Sequence, residues 1–383
     1  MNEAAKKALL PDGLRDVLPP HAAHEAAVVA GLVAAFTARG YQRVAPPLVE
    51  FEDSLLDGAG QAMATATFRL MDPVSQRMMG VRADMTLQVA RIAGTRLAKA
   101  ARPLRLAYAG TVLRVKGTQL RPERQFVQAG VEIVGSEAAA ADAEIILLAA
   151  DALQAVGVKR LSVDINLPTL VPALCRALKL DGETQSAVRS ALDRKDAAEV
   201  AAVGGAASGL LGALLRAAGP IDRALKALLA LDLPEEAAAE RTHLEEVVRL
   251  VWAAAPDLML TVDPVEHRGF EYQTGLSFTV FARGVRGEMG RGGRYHTGRG
   301  EAATGFSLFL DSVLRAVPAP ADGERLYLPH GTLPEQGETL RNQGWVTVAG
   351  LEPESDAAAE ARRLGCSHVL RDGTAAGLDA GDS

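Results

Sequence analysis

The densest polar constellation in the chain is Arg114, Arg121, Arg124, Gln125, Gln128 and Glu132. In an extended segment alternate residues share a face, so Arg124, Phe126, Gln128, Gly130 and Glu132 would project together. Such a face offers an amide that both donates and accepts, beside an acid able to fix a cationic group. The competing reading is a solvated sheet face. Arg82-Ala83-Asp84-Met85-Thr86 places an acid and a hydroxyl at a helix start, where Asp84 is most simply an N-cap. Arg268-Gly269-Phe270-Glu271-Tyr272-Gln273-Thr274-Gly275 supplies a fixed cation, a phenol and glycines that let backbone approach a ligand, or else forms a polar turn. Arg291-Gly292-Gly293-Arg294-Tyr295 is glycine-rich, but no Gly-Lys-Ser/Thr follows it; it reads as a tight turn entering a strand rather than a phosphate loop.

Other chemistries find little support. His21 and His24 are spaced HxxH with no third ligand in view, no HExxH, GxGxxG or Walker pattern occurs, and Ser208 lies in no nucleophile elbow. No metal and no cofactor are expected. Cys175 and Cys366 stand far apart in the chain, which argues against a disulfide framework and for a reducing, cytoplasmic setting. A net charge of −6 and 4% aromatic residues disfavour polyanion binding and base stacking. Pro11-Asp12-Gly13 interrupts any signal-peptide core, and the apolar runs at 26–36 and 145–150 are short for a membrane span.

The elements that must position these residues follow from periodicity and punctuation. Helical spacing over 22–39 ends at Gly40; 67–71 and 78–82 predict a hairpin; a helix follows over about 84–100. Residues 104–115 and 124–134 predict two long strands joined by a polar loop, and 138–156 an Ala/Leu helix. From 167 to 255 the pattern is helical with glycine and proline breaks, between strands at 161–165 and 258–262. Further strands are predicted at 276–282 and 285–289, then a helix over 306–317. Beyond Pro318-Ala319-Pro320, strands at 325–329, 345–350 and 367–370 alternate with helices at 334–342 and 355–364, a small α/β module.

With these pieces in order, the chain resembles class II histidyl-tRNA synthetases from about residue 10 to 318. The resemblance rests on the Pro11-to-Pro19 entry, on 40–50 as the dimer-forming motif 1, on Arg82 to Thr86, on the motif 2 strands around Arg114 and Gln128, on Arg268 to Tyr272 and on Gly292-Gly293-Arg294-Tyr295. It implies an α+β fold: an antiparallel sheet core flanked by helices over 1–320, with a helical insertion at about 167–255 and a small C-terminal module over 321–383. It also implies that Asp84 and Thr86 hold a substrate amino group, that Gln128 and Arg114 take its carboxylate side, and that Glu132, Arg268 and Tyr272 surround it. Gln273 stands where the family usually has a second tyrosine.

The departures carry equal weight. Where the family's motif 2 reads Phe-Arg-x-Glu, this chain has Leu113-Arg114-Val115-Lys116, so an acceptor for the adenine amine has become a cation. Where motif 3 ends Gly-Leu-Glu-Arg, Phe309-Leu310-Asp311-Ser312 stands instead. Losing one such electrostatic donor typically costs roughly 10²–10³ in rate. A histidine pocket without ATP chemistry is similar to the synthetase paralogues that serve as regulatory subunits of ATP phosphoribosyltransferase. That likeness implies a non-catalytic chain, a homodimer through motif 1 within a hetero-octamer, partnered by the short catalytic subunit and by L-histidine as feedback inhibitor, with no nucleic acid and no membrane. An active histidine-activating enzyme is the alternative, and an RNA-binding relative a third.

Overall fold

A computed structural model describes residues 9–56, 63–118, 121–266, 273–320 and 323–378. The backbone divides into two compact units, Met1–Pro318 and Ala319–Ser383.

In the first unit, α1 (His21–Ala38) buries Val28, Leu32 and Phe36, one stripe at a four-residue spacing, and Gly40 leaves it with φ +83, a left-handed exit that glycine adopts freely. By length and composition this helix, with mean hydropathy 1.3, could cross a membrane, and it is longer than its apolar run alone indicates. Here its buried stripe packs on a sheet, where the Phe36 ring meets Phe306 edge-on at 5.6 Å. After β1 (Gln42–Arg43) come β2 (Val49–Phe51), α2 (Glu52–Leu55), β3 (Phe68–Met71) and β4 (Met78–Val81), with β2, β4 and β3 forming a small antiparallel sheet. The expected hairpin is β3–β4. Helix α3 (Thr86–Gly94) is shorter than its predicted span, because 95–100 continues as turns.

The long strands are β5 (Leu104–Leu113) and β6 (Gln125–Val134), followed by α4 (Ala139–Ala155) and β7 (Leu161–Asn166). The stretch after β7 carries α5 (Leu170–Ala177), α6 (Gly182–Asp193), α7 (Ala197–Val203), α8 (Ser208–Arg216), the two-residue β8 (Gly219–Pro220), α9 (Ile221–Leu229) and α10 (Glu235–Ala254). These helices share one continuous apolar core with α1, α4 and the sheet. Then come β9 (Met259–Asp263), β10 (Gln273–Ala282), β11 (Gly290–His296), β12 (Ala302–Phe309) and α11 (Leu310–Val313). A nine-stranded sheet runs β1-β5-β6-β12-β11-β10-β7-β9-β8. Its centre, β5 to β7 in that order, is antiparallel as expected; β1 on β5 and β7 on β9 are parallel, so the whole sheet is mixed.

Two expectations fail here. Residues 285–289 are not a strand: Gly284 and Gly287, at φ +85 and +87, turn the chain, and the strand begins at Gly290, so the glycine-rich motif read as a turn is itself β11. Residues 306–317 are not one helix, for β12 runs to Phe309 and only Leu310–Val313 is helical. Most of β12 is buried, which leaves an apolar run without alternation; periodicity cannot tell such a run from a buried helix.

In the second unit, β13 (Arg325–Leu328), α12 (Pro334–Asn342), β14 (Val346–Ala349), α13 (Ala357–Arg363), β15 (His368–Arg371) and β16 (Thr374–Gly377) form a four-stranded sheet of order β14-β13-β15-β16. Its two faces carry Leu326, Leu328, Leu340 and Leu370 on one side and Tyr327, Ala361, Cys366 and Val369 on the other. Strand β16 was not anticipated. Its signal is Asp372-Gly373, both at positive φ, the Asp-Gly pair that favours a tight two-residue hairpin.

Candidate functional site

Sheet register assembles the site. Glu132 on β6 pairs with Gly305 on β12, Gly305 with Gly293 on β11, and Gly293 with Ser277 on β10. One row along, Gly130, Ser307 and Arg291 are paired; one row the other way lie Val134, Ala303, Tyr295 and Gln273. Directly paired residues face the same side, so Gln128, Glu132, Ser307, Arg291, Tyr295 and Gln273 share one face. The central glycines hollow it out. A Cβ at Gly305 would stand 1.9 Å from Glu132 Oε2, and one at Gly293, whose φ is +148, 2.8 Å from the Ser277 side chain. Above them lies a cavity of about 270 Å³ lined by Asp84, Thr86, Arg114, Glu132, Tyr295 and Ser307 among others.

One end of the cavity is acidic and hydroxylic. Glu132, 1% exposed, accepts from the Tyr108 phenol at 3.1 Å and the Tyr295 phenol at 3.0 Å. Burial nonetheless pushes its carboxyl up to about 8, the two phenols opposing the shift and Asp84 adding to it. Burial likewise drives the Tyr108 phenol well above its ordinary range. Thr86 Oγ1 lies 3.2 Å from the Tyr108 oxygen, which is 2.8 Å from Ser307 Oγ.

Gln128 is fully committed within the protein. Its Nε2 donates to Asp84 Oδ2 at 2.9 Å and to Ser307 Oγ at 2.6 Å, and its Oε1 accepts from the Met85 N–H at 2.9 Å. It therefore holds Asp84 in place from behind and does not itself line the cavity. Asp84 is not the N-cap; that position is Met85, and Asp84 Oδ1 reaches over it to accept from Thr86 N–H at 2.8 Å.

The other end is cationic. Arg114, half-buried, is held below its ordinary pKa by desolvation first and by neighbouring Arg121 and Arg291. Its guanidinium lies 5.0 Å from the Phe126 ring centre, and Nε makes a long bond to the Ala83 carbonyl at 3.5 Å. Arg121 stacks 3.8 Å from the Phe309 ring and donates to Asp311 at 3.1 Å and Glu288 at 3.4 Å. Arg291 donates to both Glu288 oxygens at 2.7 and 2.8 Å.

The structure thus brings together Asp84, Thr86, Arg114, Glu132 and Gln273 at the cavity, with Gln128 behind them. Gln273 Nε2 makes a long bond to the Gly292 carbonyl at 3.5 Å, while its Oε1 is buried without a partner among the described residues. Arg268 and Tyr272 lie outside the described residues. Arg124 does not join the shared face with Gln128 and Glu132: the strand starts after it, and its side chain donates to the carbonyls of Arg114 and Asp12. Ser312 is buried and accepts from Arg315, away from the cavity. The solvated-face reading fails, since β6 is buried from Gln128 to Val134.

Sequence reasoning missed Tyr108, Ser307 and Glu288, and took Arg291 for a turn residue. The available signal for Tyr108 was a lone phenol among small and aliphatic residues of a long strand. No group of three or more potential metal ligands gathers among the described residues. What the arrangement can do is bind a small zwitterion, with ammonium at Asp84 and Thr86, carboxylate at Arg114, and a polar side chain against Glu132.

The sequence matches the histidyl-tRNA synthetase family over residues 13–313. It is 62% identical over 367 residues to an ATP phosphoribosyltransferase regulatory subunit of Rhodospirillum centenum, covering 96% of this chain and 95% of that one. Identity to the protein of the same name from Paramagnetospirillum magneticum is 60%, covering 97% and 98%. Among solved structures, an ATP phosphoribosyltransferase regulatory subunit/histidyl-tRNA synthetase from Bacillus halodurans superposes with TM-score 0.81 at 23% identity, covering 93% of this chain and 96% of that one. A histidyl-tRNA synthetase from Nostoc superposes with TM-score 0.78 at 19% identity, covering 95% and 91%, a likeness of fold.

Proposed function

We infer from a chain that belongs to the histidyl-tRNA synthetase family, and within it to the ATP phosphoribosyltransferase regulatory subunits, that it supports and regulates a separate catalytic chain rather than catalysing a reaction itself. The observation that carries this reading is near-full-length identity of 62% to a protein of that name. The partner is the short catalytic subunit, which needs this chain for activity, in a hetero-octamer built on a homodimer through 40–50. The ligand is L-histidine, acting as feedback inhibitor of the first step of histidine biosynthesis.

The cavity supports the ligand assignment. Asp84 and Thr86 receive the ammonium, Arg114 the carboxylate, and Glu132, flanked by Tyr108 and Tyr295, meets the imidazole. Arg268 and Tyr272 complete the set by family likeness. Neither Lys116 nor Ser312 offers what adenylation needs: Lys116 cannot accept from an adenine amine, and Ser312 brings no charge to a triphosphate. For a histidine signal to reach the catalytic chain, histidine must bind two states of the assembly unequally, and a coupling of about 1–3 kcal/mol suffices.

Co-purification with the catalytic subunit, followed by its activity with and without histidine, tests the reading. A stable complex whose activity depends on this chain and falls with histidine is expected; no complex, or an indifferent activity, would sink it. Robust histidine-dependent ATP–pyrophosphate exchange by the purified chain would favour a histidine-activating enzyme instead.

A further inference from the structure

The cationic end of the cavity holds more positive charge than one carboxylate calls for. Arg114, Arg121 and Arg291 converge there, with Lys116 on the lining. Guanidinium groups gathered in a concave, partly desolvated site are well suited to a polyphosphate chain. That place is already taken from within. Glu288 accepts from Arg291 through both oxygens and from Arg121 as well, while Asp311 accepts from Arg121 Nε. Arg121 is further pinned between rings, 3.8 Å from Phe309 and 4.6 Å from Phe126. Among the described residues, Arg114 is the guanidinium of this group with no carboxylate bonded to it, and the exposed Lys116 has none either.

We propose that Glu288 is a specificity residue: as a fixed internal anion it fills the cationic end, leaves Arg114 for a single carboxylate, and turns polyphosphates away. The proposal rests on the amino-acid-sensing reading above. A site that reports a free amino acid in a solution rich in nucleotides must discriminate against them, and like charge set in a competitor's place is the repulsive element that does so. Glu288 lines the cavity and bridges two arginines from the turn ahead of β11, whereas the Asp311 carboxylate lies beneath Arg121, 1% exposed. Neutralising Glu288 removes one anion from the end lined by Arg114, Arg291 and Lys116, with Asp311 still holding Arg121.

The test is calorimetric titration of the full chain with inorganic tripolyphosphate, comparing wild type, E288Q and E288D. Wild type and E288D, which keep the charge, are expected to bind it only weakly. E288Q should bind at least about tenfold more tightly than wild type, the gain of one charge-assisted contact. Wild type binding as tightly as E288Q, or a folded E288Q that ignores tripolyphosphate, overturns the proposal. E288A in the same turn gives a second reading with the same two outcomes should the amide disturb folding. Titration of wild type with L-histidine runs alongside: absence of histidine binding removes the functional reading, while the tripolyphosphate contrast is decided on its own.

Discussion

Glu132 concentrates the chemistry of the pocket in one carboxyl. Its pKa is raised from an ordinary 4.5 to about 8, chiefly by burial, so the native state keeps a proton that the unfolded chain releases. The linkage sign follows: this group's contribution to stability is complete below about pH 4.5 and is lost as pH rises toward 8. E132Q removes the titration. Its unfolding free energy, measured by urea denaturation from pH 5 to 9, is expected to fall less steeply than that of wild type, so that the variant gains relative stability at alkaline pH while losing histidine affinity. An unchanged pH slope would take Glu132 out of this role. Gln128 acts differently, because it makes three internal hydrogen bonds. Q128A leaves the Met85 N–H and Asp84 Oδ2 short of a partner, at about 1–3 kcal/mol for each group left unsatisfied in a buried site. Weakened histidine binding with the subunit complex still assembling is expected, and unchanged affinity by calorimetry would exclude it. Both residues were legible as a polar face of one strand. That Gln128 is bonded to Asp84 was not, because the contact joins residues 44 positions apart.

Elements place these residues by close approach, and glycine is what permits it. At Gly305 an added Cβ would fall within 1.9 Å of Glu132 Oε2 and 2.4 Å of the Val131 carbonyl, one of them backbone that cannot move aside. G305A is therefore expected to push Glu132 from its phenols, to abolish histidine binding, and to cost about 1–3 kcal/mol of stability, read by calorimetry and thermal melting. A second joint ties β11 to the helices. Arg294 donates to Asp142 at 2.7 Å and to the carbonyls of Ser136 and Ala138, and His243 on α10 lies 2.7 Å from the same Asp142 oxygen. Among the described residues, R294A leaves the buried Asp142 carboxylate with only His243 beside it; a loss on the order of 3 kcal/mol in urea denaturation is expected. The periodicity and punctuation of the chain foretold α1, the β3–β4 hairpin, β5, β6 and α4. They failed at 285–289 and 306–317, where turn glycines and a doubly covered strand carry no period.

At the scale of the whole molecule, the expected behaviour is reciprocal. If assembly with the catalytic subunit changes histidine affinity by some factor, histidine must change the assembly equilibrium by the same factor. Calorimetry of histidine on the free chain and on the complex, set against subunit dissociation with and without histidine, measures both sides; unequal factors would exclude a simple two-state coupling. Histidine at a hundredfold excess over its dissociation constant should also stabilise the chain by about 2.7 kcal/mol. Composition and motif spacing determined the family, the α+β class and the polar residues that the candidate site draws on, because these are written in residue types at fixed local intervals. Tertiary structure alone decided which groups are spoken for: Gln128 by Asp84, Arg121 and Arg291 by Glu288, Glu132 by two phenols from β5 and β11. Those pairings depend on strand register and on the closeness that paired glycines allow, and both are properties of how distant segments meet rather than of any one segment.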